Sequence, residues 1–233
     1  MITFFHRVFY GLVVGSLRAL LTLGARVKMV VFHRPPCGAF VMASNHISHF
    51  DPPLLSGWLP RKIDWIAMSE LFGTGWSKAG FQWLDVIPVE RTGDDRHALR
   101  EALRRLSVGR VIGVFPEGGI RDGAQSMLAG APFRDGAVML AMHAGCPIVP
   151  VVILGSERLY NAKNWLPWRR ARVFIAVGAP VHPPDQKSRS AAREQMRADL
   201  AAAIVRLKDD LVGRCHLGES DLPHSPRERM AEA

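Results

Sequence analysis

Cysteine is scarce: Cys37, Cys146 and Cys215 are the only three in 233 residues, odd in number and set far apart. With no C-x-x-C pair, neither a disulfide framework nor a thiolate zinc site is indicated, and incidental reduced thiols are the simplest reading. Acidic residues are also outnumbered. The chain carries 21 Asp and Glu against 30 Lys and Arg, a formal charge of +9. Such an excess favours an anionic partner: nucleic acid, an acidic membrane, a phosphorylated substrate or an acidic carrier protein. Zinc-finger spacing and a basic–aromatic RNA signature are both missing, which sets nucleic acid aside. What remains is ordinary for a globular protein, with 48% hydrophobic and 22% charged residues. The length suits one catalytic domain with small extensions.

A long apolar run is lacking too. A spanning helix needs roughly 20 apolar residues in a row, and Arg7 and Arg18 interrupt the opening segment, Met1 to Gly24. Phe5, Val8, Phe9, Leu12, Val13, Leu17, Leu20 and Leu21 recur at helical spacing. The pattern predicts an amphipathic helix lying in a membrane interface, with packing on the protein's own core as the alternative. Segment 1–26 is therefore set apart from a catalytic domain at 27–212. The polar stretch 213–233 has few apolar anchors and is expected to be disordered.

Within the domain, strands are predicted at Val27–Phe32, Ala39–Ala43, Ile63–Met68, Val86–Val89, Val111–Phe115, Ile148–Leu154 and Val173–Val177. Helices are predicted at Asp94–Leu106, at Gly136–Ala144 and over the stripe Met196, Leu200, Ile204, Leu207 and Leu211. Alternating strands and helices give an α/β fold with a central sheet.

The sharpest chemistry lies where the buried strand at Ala39–Ala43 runs into Ser44-Asn45-His46-Ile47-Ser48-His49-Phe50-Asp51. Asp51 precedes Pro52-Pro53, which suits an N-cap with proline in the first helical turn. His46 and Asp51 thus share a strand-to-helix loop, where α/β proteins gather active sites. If the loop folds back, Asp51 holds one ring nitrogen of His46 while the other takes a proton from an attacking hydroxyl. His46, His49 and Asp51 also form an H-x-x-H-x-D cluster that a zinc hydrolase could use. A non-catalytic membrane-binding protein is the third possibility. Two further strand ends carry cations. Gly118-Gly119 after the Val111 strand lets backbone approach an anion, with Arg121 as a phosphate fork. Arg91 closes Ile87-Pro88-Val89-Glu90-Arg91 and suits a phosphate or lipid head group. Leu71 to Leu84, with Phe72, Trp76, Phe81 and Trp83, could line an acyl groove. Trp165-Leu166-Pro167-Trp168-Arg169-Arg170 sets tryptophans beside cations, as at an anionic interface.

These residues together resemble the glycerolipid acyltransferases, the lysophosphatidic acid acyltransferase family. Asn45 to Asp51 matches the N-H-x-x-x-x-D signature, and Val86 to Arg91 resembles the second block. Phe115-Pro116-Glu117-Gly118 resembles the third block and Ile148-Val149-Pro150-Val151 the fourth. Pro132-Phe133-Arg134-Asp135-Gly136-Ala137 resembles the family's Phe-Lys-x-Gly-Ala segment. The resemblance implies a mixed, mostly parallel sheet flanked by helices, with His46 as general base and Asp51 orienting it. It implies direct transfer from an acyl thioester, acyl-CoA or acyl carrier protein, with no bound cofactor or metal. Asn45, Arg91, Glu117, Gly118, Gly119 and Arg121 would bind the acceptor, most simply the phosphate of 1-acylglycerol 3-phosphate. Arg121 stands one position later than in the family's Glu-Gly-Thr-Arg. A lyso-ornithine lipid, glycolipid or other lysophospholipid is therefore kept as an alternative acceptor. The implied location is the cytoplasmic face of a membrane, peripheral or monotopic.

Overall fold

The computed structural model describes residues 4–69, 84–89, 96–186 and 188–224. Among these, seven strands form one sheet in the order β1-β7-β6-β2-β5-β3-β4. They are β1 (Ala25–Val31), β2 (Phe40–Ser44), β3 (Ile63–Met68), β4 (Ile87–Val89), β5 (Val111–Val114), β6 (Ile148–Leu154) and β7 (Ala171–Val177). All neighbouring pairs run parallel except β6 and β7. The predicted mixed, mostly parallel sheet is what forms.

Alternation along each strand divides the core. Val41 and Ala43 of β2 face the layer built with Leu106, Leu140, Met196, Leu200 and Ile204, while Phe40 and Met42 face Leu21, Leu54 and Leu55. The first layer thus holds α3 (Arg96–Ser107), α4 (Gly136–Ala144) and α5 (Arg189–Cys215); the second holds α1 (Phe4–Gly24) and α2 (Asp51–Trp58). β2 and β6 are buried at every position, which is why they read as continuous apolar runs.

Ser188 caps α5 by accepting from the Ala191 N–H, so that helix starts earlier than its apolar stripe. It also passes the boundary drawn at residue 213. Leu217 and Asp221 beyond it are buried, and Arg158 bonds Asp221 at 3.2 Å. Leu217 and Asp221 therefore anchor the described part of the polar stretch. α1 packs one side on α2 and leaves Val8, Phe9, Leu12, Leu20 and Leu23 exposed. Among the described residues, no helix is long and apolar enough to cross a membrane.

Toward the N-terminal ends of β3, β4 and β5 lies a cluster of charges. Asp64, 1% exposed, pairs with Arg110 at 2.5 Å and Arg105 at 3.4 Å. Lys62 and Arg110 both reach Asp85. Burial pushes the Asp64 carboxyl above its ordinary range despite these cations. For Asp85 burial pushes the same way, but the Lys62 hydrogen bond and the surrounding cations outweigh it and bring the carboxyl below that range.

Candidate active site

β2 lies between β5 and β6, and the C-terminal ends of these parallel strands share one end of the sheet. Open α/β sheets place their sites at such a crevice. The chain leaving β2 is tied down first by Asn45. Its amide donates to the Ile153 carbonyl at 2.9 Å and accepts from the Ile153 N–H at 2.9 Å. Asn45 is thus a buried clamp between β2 and β6, its polar atoms turned inward.

His46 follows, with its side chain 17% exposed. Its Nδ1 lies 2.8 Å from Asp51 Oδ2. The same carboxylate oxygen accepts from the N–H groups of Ile47 at 2.8 Å and Ser48 at 2.9 Å. The Ser156 hydroxyl donates to Oδ1. Asp51 is fully buried, and these donors compensate its lost hydration. The N-cap expectation for Asp51 needs correcting: Phe50 is the cap residue, and Asp51 is the first residue of α2. Its carboxylate bends back over the loop instead of capping the helix, which brings it to the imidazole.

An ionised carboxylate only accepts, so Nδ1 is the donating ring nitrogen, and in the neutral ring Nε2 is then the one with a lone pair. The ring stacks on Phe115 with centroids 4.1 Å apart, and Phe115 stacks on Trp65 at 4.9 Å. Gly113 makes room for this column, since a Cβ there would lie 2.7 Å from the Trp65 ring.

From the end of β5, Glu117 Oε2 accepts the His46 N–H at 2.6 Å. Its Oε1 accepts from Ser126 Oγ and the Met127 N–H, both at 2.8 Å. Glu117 is buried, and burial pushes its carboxyl above the ordinary range against the pull of those donors. Both oxygens face protein donors. Gly118 adopts φ +69°, closing a turn in which its N–H bonds the Phe115 carbonyl at 3.0 Å. Gly119 follows on the surface side, and the exposed Arg121 is fixed by its own N–H, which donates to the His46 carbonyl at 2.8 Å. Arg91 lies outside the described residues, as does the predicted acyl groove up to residue 83.

His49 turns away. Its N–H and ring nitrogen meet the Tyr160 hydroxyl, and Phe50 packs edge-on to Tyr160 and near Trp165. Among the described residues, no group of three or more His, Cys, Asp or Glu side chains could hold a metal. Sequence reasoning missed Ser156, Ser126 and Tyr160. Only Ser156 left a signal, a Gly-Ser pair at the end of the buried β6.

The Acyltransferase family model matches residues 30–154, more than half of the chain, and spans His46, Asp51, Glu117 and all of β6. The chain belongs to this family. Among relatives, the 1-acyl-sn-glycerol-3-phosphate acyltransferase of Bacillus subtilis is 25% identical over 86% of this chain and 96% of its own. The 1-acyl-sn-glycerol-3-phosphate acyltransferase alpha of Mus musculus is 36% identical over 71% of this chain, which spans 58% of that protein's length. The crystal structure of the LPA acyltransferase PlsC from Thermotoga maritima superposes with a TM-score of 0.61. It is 25% identical and covers 85% of this acyltransferase and 81% of itself.

Proposed function

We propose that this acyltransferase moves a fatty acyl group from an acyl thioester to the free hydroxyl of 1-acylglycerol 3-phosphate. The observation that carries the chemistry is the 2.8 Å bond between His46 Nδ1 and an Asp51 carboxylate held by Ile47, Ser48 and Ser156. With Nδ1–H engaged, Nε2 takes the acceptor's hydroxyl proton as its oxygen attacks the thioester carbonyl. The tetrahedral intermediate then collapses, the carbon–sulfur bond breaks, and the imidazolium returns its proton to the leaving thiolate. His46 is the catalytic base and Asp51 positions it and stabilises the imidazolium. No covalent acyl-enzyme forms.

The names of the relatives support the acceptor, and Arg121, latched beside the His46 carbonyl, supplies a cation for its phosphate. The +9 charge suits either acidic donor, acyl-CoA or acyl carrier protein. The chain works at the cytoplasmic face of a membrane as a peripheral or monotopic protein. Supporting this are the exposed apolar side of α1 and Trp168, 73% exposed, on the loop whose Trp165 packs against Gly24 of α1.

The test is an acyl-transfer assay pairing each donor with a panel of lysolipids. Transfer to 1-acylglycerol 3-phosphate is expected, with His46→Ala slower by roughly 10²–10⁴-fold. No transfer to any lysolipid, or near-normal turnover by His46→Ala, sinks the reading. Leu12→Glu with Leu20→Glu should release the protein from anionic vesicles while leaving its fold intact. Unchanged cosedimentation would overturn the membrane assignment.

A further inference from the structure

The turn that supports the catalytic histidine also carries a guanidinium that the chemistry above does not use. Arg134 donates its N–H to the Pro116 carbonyl at 2.9 Å, which latches the segment before α4 onto the Phe115–Gly118 turn. Its side chain lies directly against Gly118. A Cβ on that glycine would sit 2.6 Å from Arg134 Nε and 2.8 Å from Cζ, so any other residue would push the guanidinium away. Gly118 adjoins Glu117, whose Oε2 holds the His46 N–H at 2.6 Å. Arg134 is therefore stationed one residue from the anchor of the base.

Nothing described neutralises it. The Glu117 oxygens are taken by His46, Ser126 and Met127. The neighbouring Asp135 points to Arg193 at 3.8 Å and Arg197 at 4.0 Å. Among the described residues no carboxylate pairs with Arg134, and its side chain is exposed. A planar fork of N–H donors in that setting matches a phosphate monoester, which accepts two parallel hydrogen bonds and carries up to two charges.

We infer that Arg134 binds the acceptor's phosphate and sets the preference for a phosphate monoester head group, with the bare Gly118 backbone as the condition for its approach. The inference rests on the proposed acceptor. It also fits a turn in which Arg121 comes late: the backbones of two arginines are held there, one by the His46 carbonyl and one by the Pro116 carbonyl.

The experiment measures kcat and KM of the full chain with 1-acylglycerol 3-phosphate, a monoacylglycerol without phosphate and a lysophosphatidylcholine, with inorganic phosphate as competitor. Arg134→Gln should lower kcat/KM for the phosphate monoester about 10- to 100-fold, chiefly through KM, as expected for a lost charge-assisted fork. Activity toward the monoacylglycerol should stay within about twofold, so selectivity between acceptors collapses. Arg134→Lys should recover part of the loss, since it keeps the charge without the fork. Weaker inhibition by free phosphate in Arg134→Gln would agree. Equal loss with every acceptor, or no loss, overturns the assignment. A KM rise confined to the thioester donor overturns it too, because the guanidinium then serves the donor's phosphates. A wild-type protein that acylates neutral lysolipids but never the phosphate monoester refutes this inference and leaves the His46 chemistry standing. Inactivity toward all acceptors refutes both.

Discussion

Glu117→Gln tests how far His46, the proposed base, depends on its backbone anchor. The substitution keeps the size of the side chain but trades a double acceptor for one oxygen and one NH2 group. In the native site, Oε2 serves the His46 N–H while Oε1 serves Ser126 Oγ and the Met127 N–H. If the amide oxygen stays with His46, its NH2 meets Ser126, whose hydroxyl can reverse and accept, but the Met127 N–H is stranded. The opposite orientation strands the His46 N–H. Either way one charge-assisted bond weakens and one buried donor goes unpaired, which costs about 1–3 kcal/mol of stability. A loop loosened at His46 also blurs the position of Nε2, and misplacement by about 1 Å can cost on the order of 10²-fold in rate. The expected result is a kcat 10- to 100-fold lower, by about that argument, with KM for both substrates little changed. Steady-state release of the free thiol, alongside thermal denaturation, measures both. A KM effect on the acceptor with unchanged kcat would refute the argument, because it would mean that Glu117 touches substrate. The pH dependence gives a separate check. Burial raises the Glu117 carboxyl in the folded protein, so the folded state holds that proton to higher pH than the unfolded chain. Its contribution to stability is therefore present at low pH and lost as pH rises through the folded value. Glu117→Gln should flatten that segment of the stability curve.

Ser156→Ala removes the hydroxyl from Asp51 Oδ1 and leaves a buried carboxylate oxygen short of a donor. A kcat loss of about tenfold is expected from one charged hydrogen bond, with KM unchanged; undiminished kcat would show that Asp51 is held well enough without it. Gly155→Ala should lower the unfolding free energy by at least about 2 kcal/mol. Its φ is +83°, and a Cβ there would lie 2.2 Å from the Arg172 carbonyl oxygen, so a wild-type melting temperature would contradict the geometry. Asp64→Asn takes one carboxylate from Arg105 and Arg110 and should cost about 1–3 kcal/mol, the range for hydrogen bonds to charged groups. Both arginines keep a second carboxylate, Glu101 or Asp85. Because the cluster lies at the far end of the strands, kcat and KM should not move, and a kinetic defect would disprove that separation.

The sheet was readable because fully buried parallel strands are short apolar runs, as Ile148 to Leu154 is. The His46 loop was readable because strand, polar cluster and Asp-Pro-Pro follow one another locally. What escaped were bonds made across the sheet. Asn45 reaches Ile153 and Asp51 reaches Ser156, over a hundred residues away, because β2 happens to lie next to β6. Strand order carries that information, and alternation of apolar residues does not encode it. The same ignorance misplaced Asp51 as a helix cap and hid the bonds that Asn45 makes to Ile153. The polar residues after 213 looked unanchored because Leu217 and Asp221 find partners on distant segments.

The pairing of β1 with β7 bears on how the chain is made. Ala25 takes its place against Ala171, and Val31 against Val177. During synthesis α1 and β1 emerge before the other strands, yet the strand that pairs with β1 leaves the ribosome only after the rest of the sheet. Domains grow from their N-terminus at about 5–20 residues per second, so this edge waits several seconds for its neighbour. Pairings so distant along the chain close late and slowly. Throughout that wait α1 shows water its exposed apolar side. Adsorption to a nearby bilayer, or shelter by a chaperone, would protect the nascent chain before any lipid is acylated.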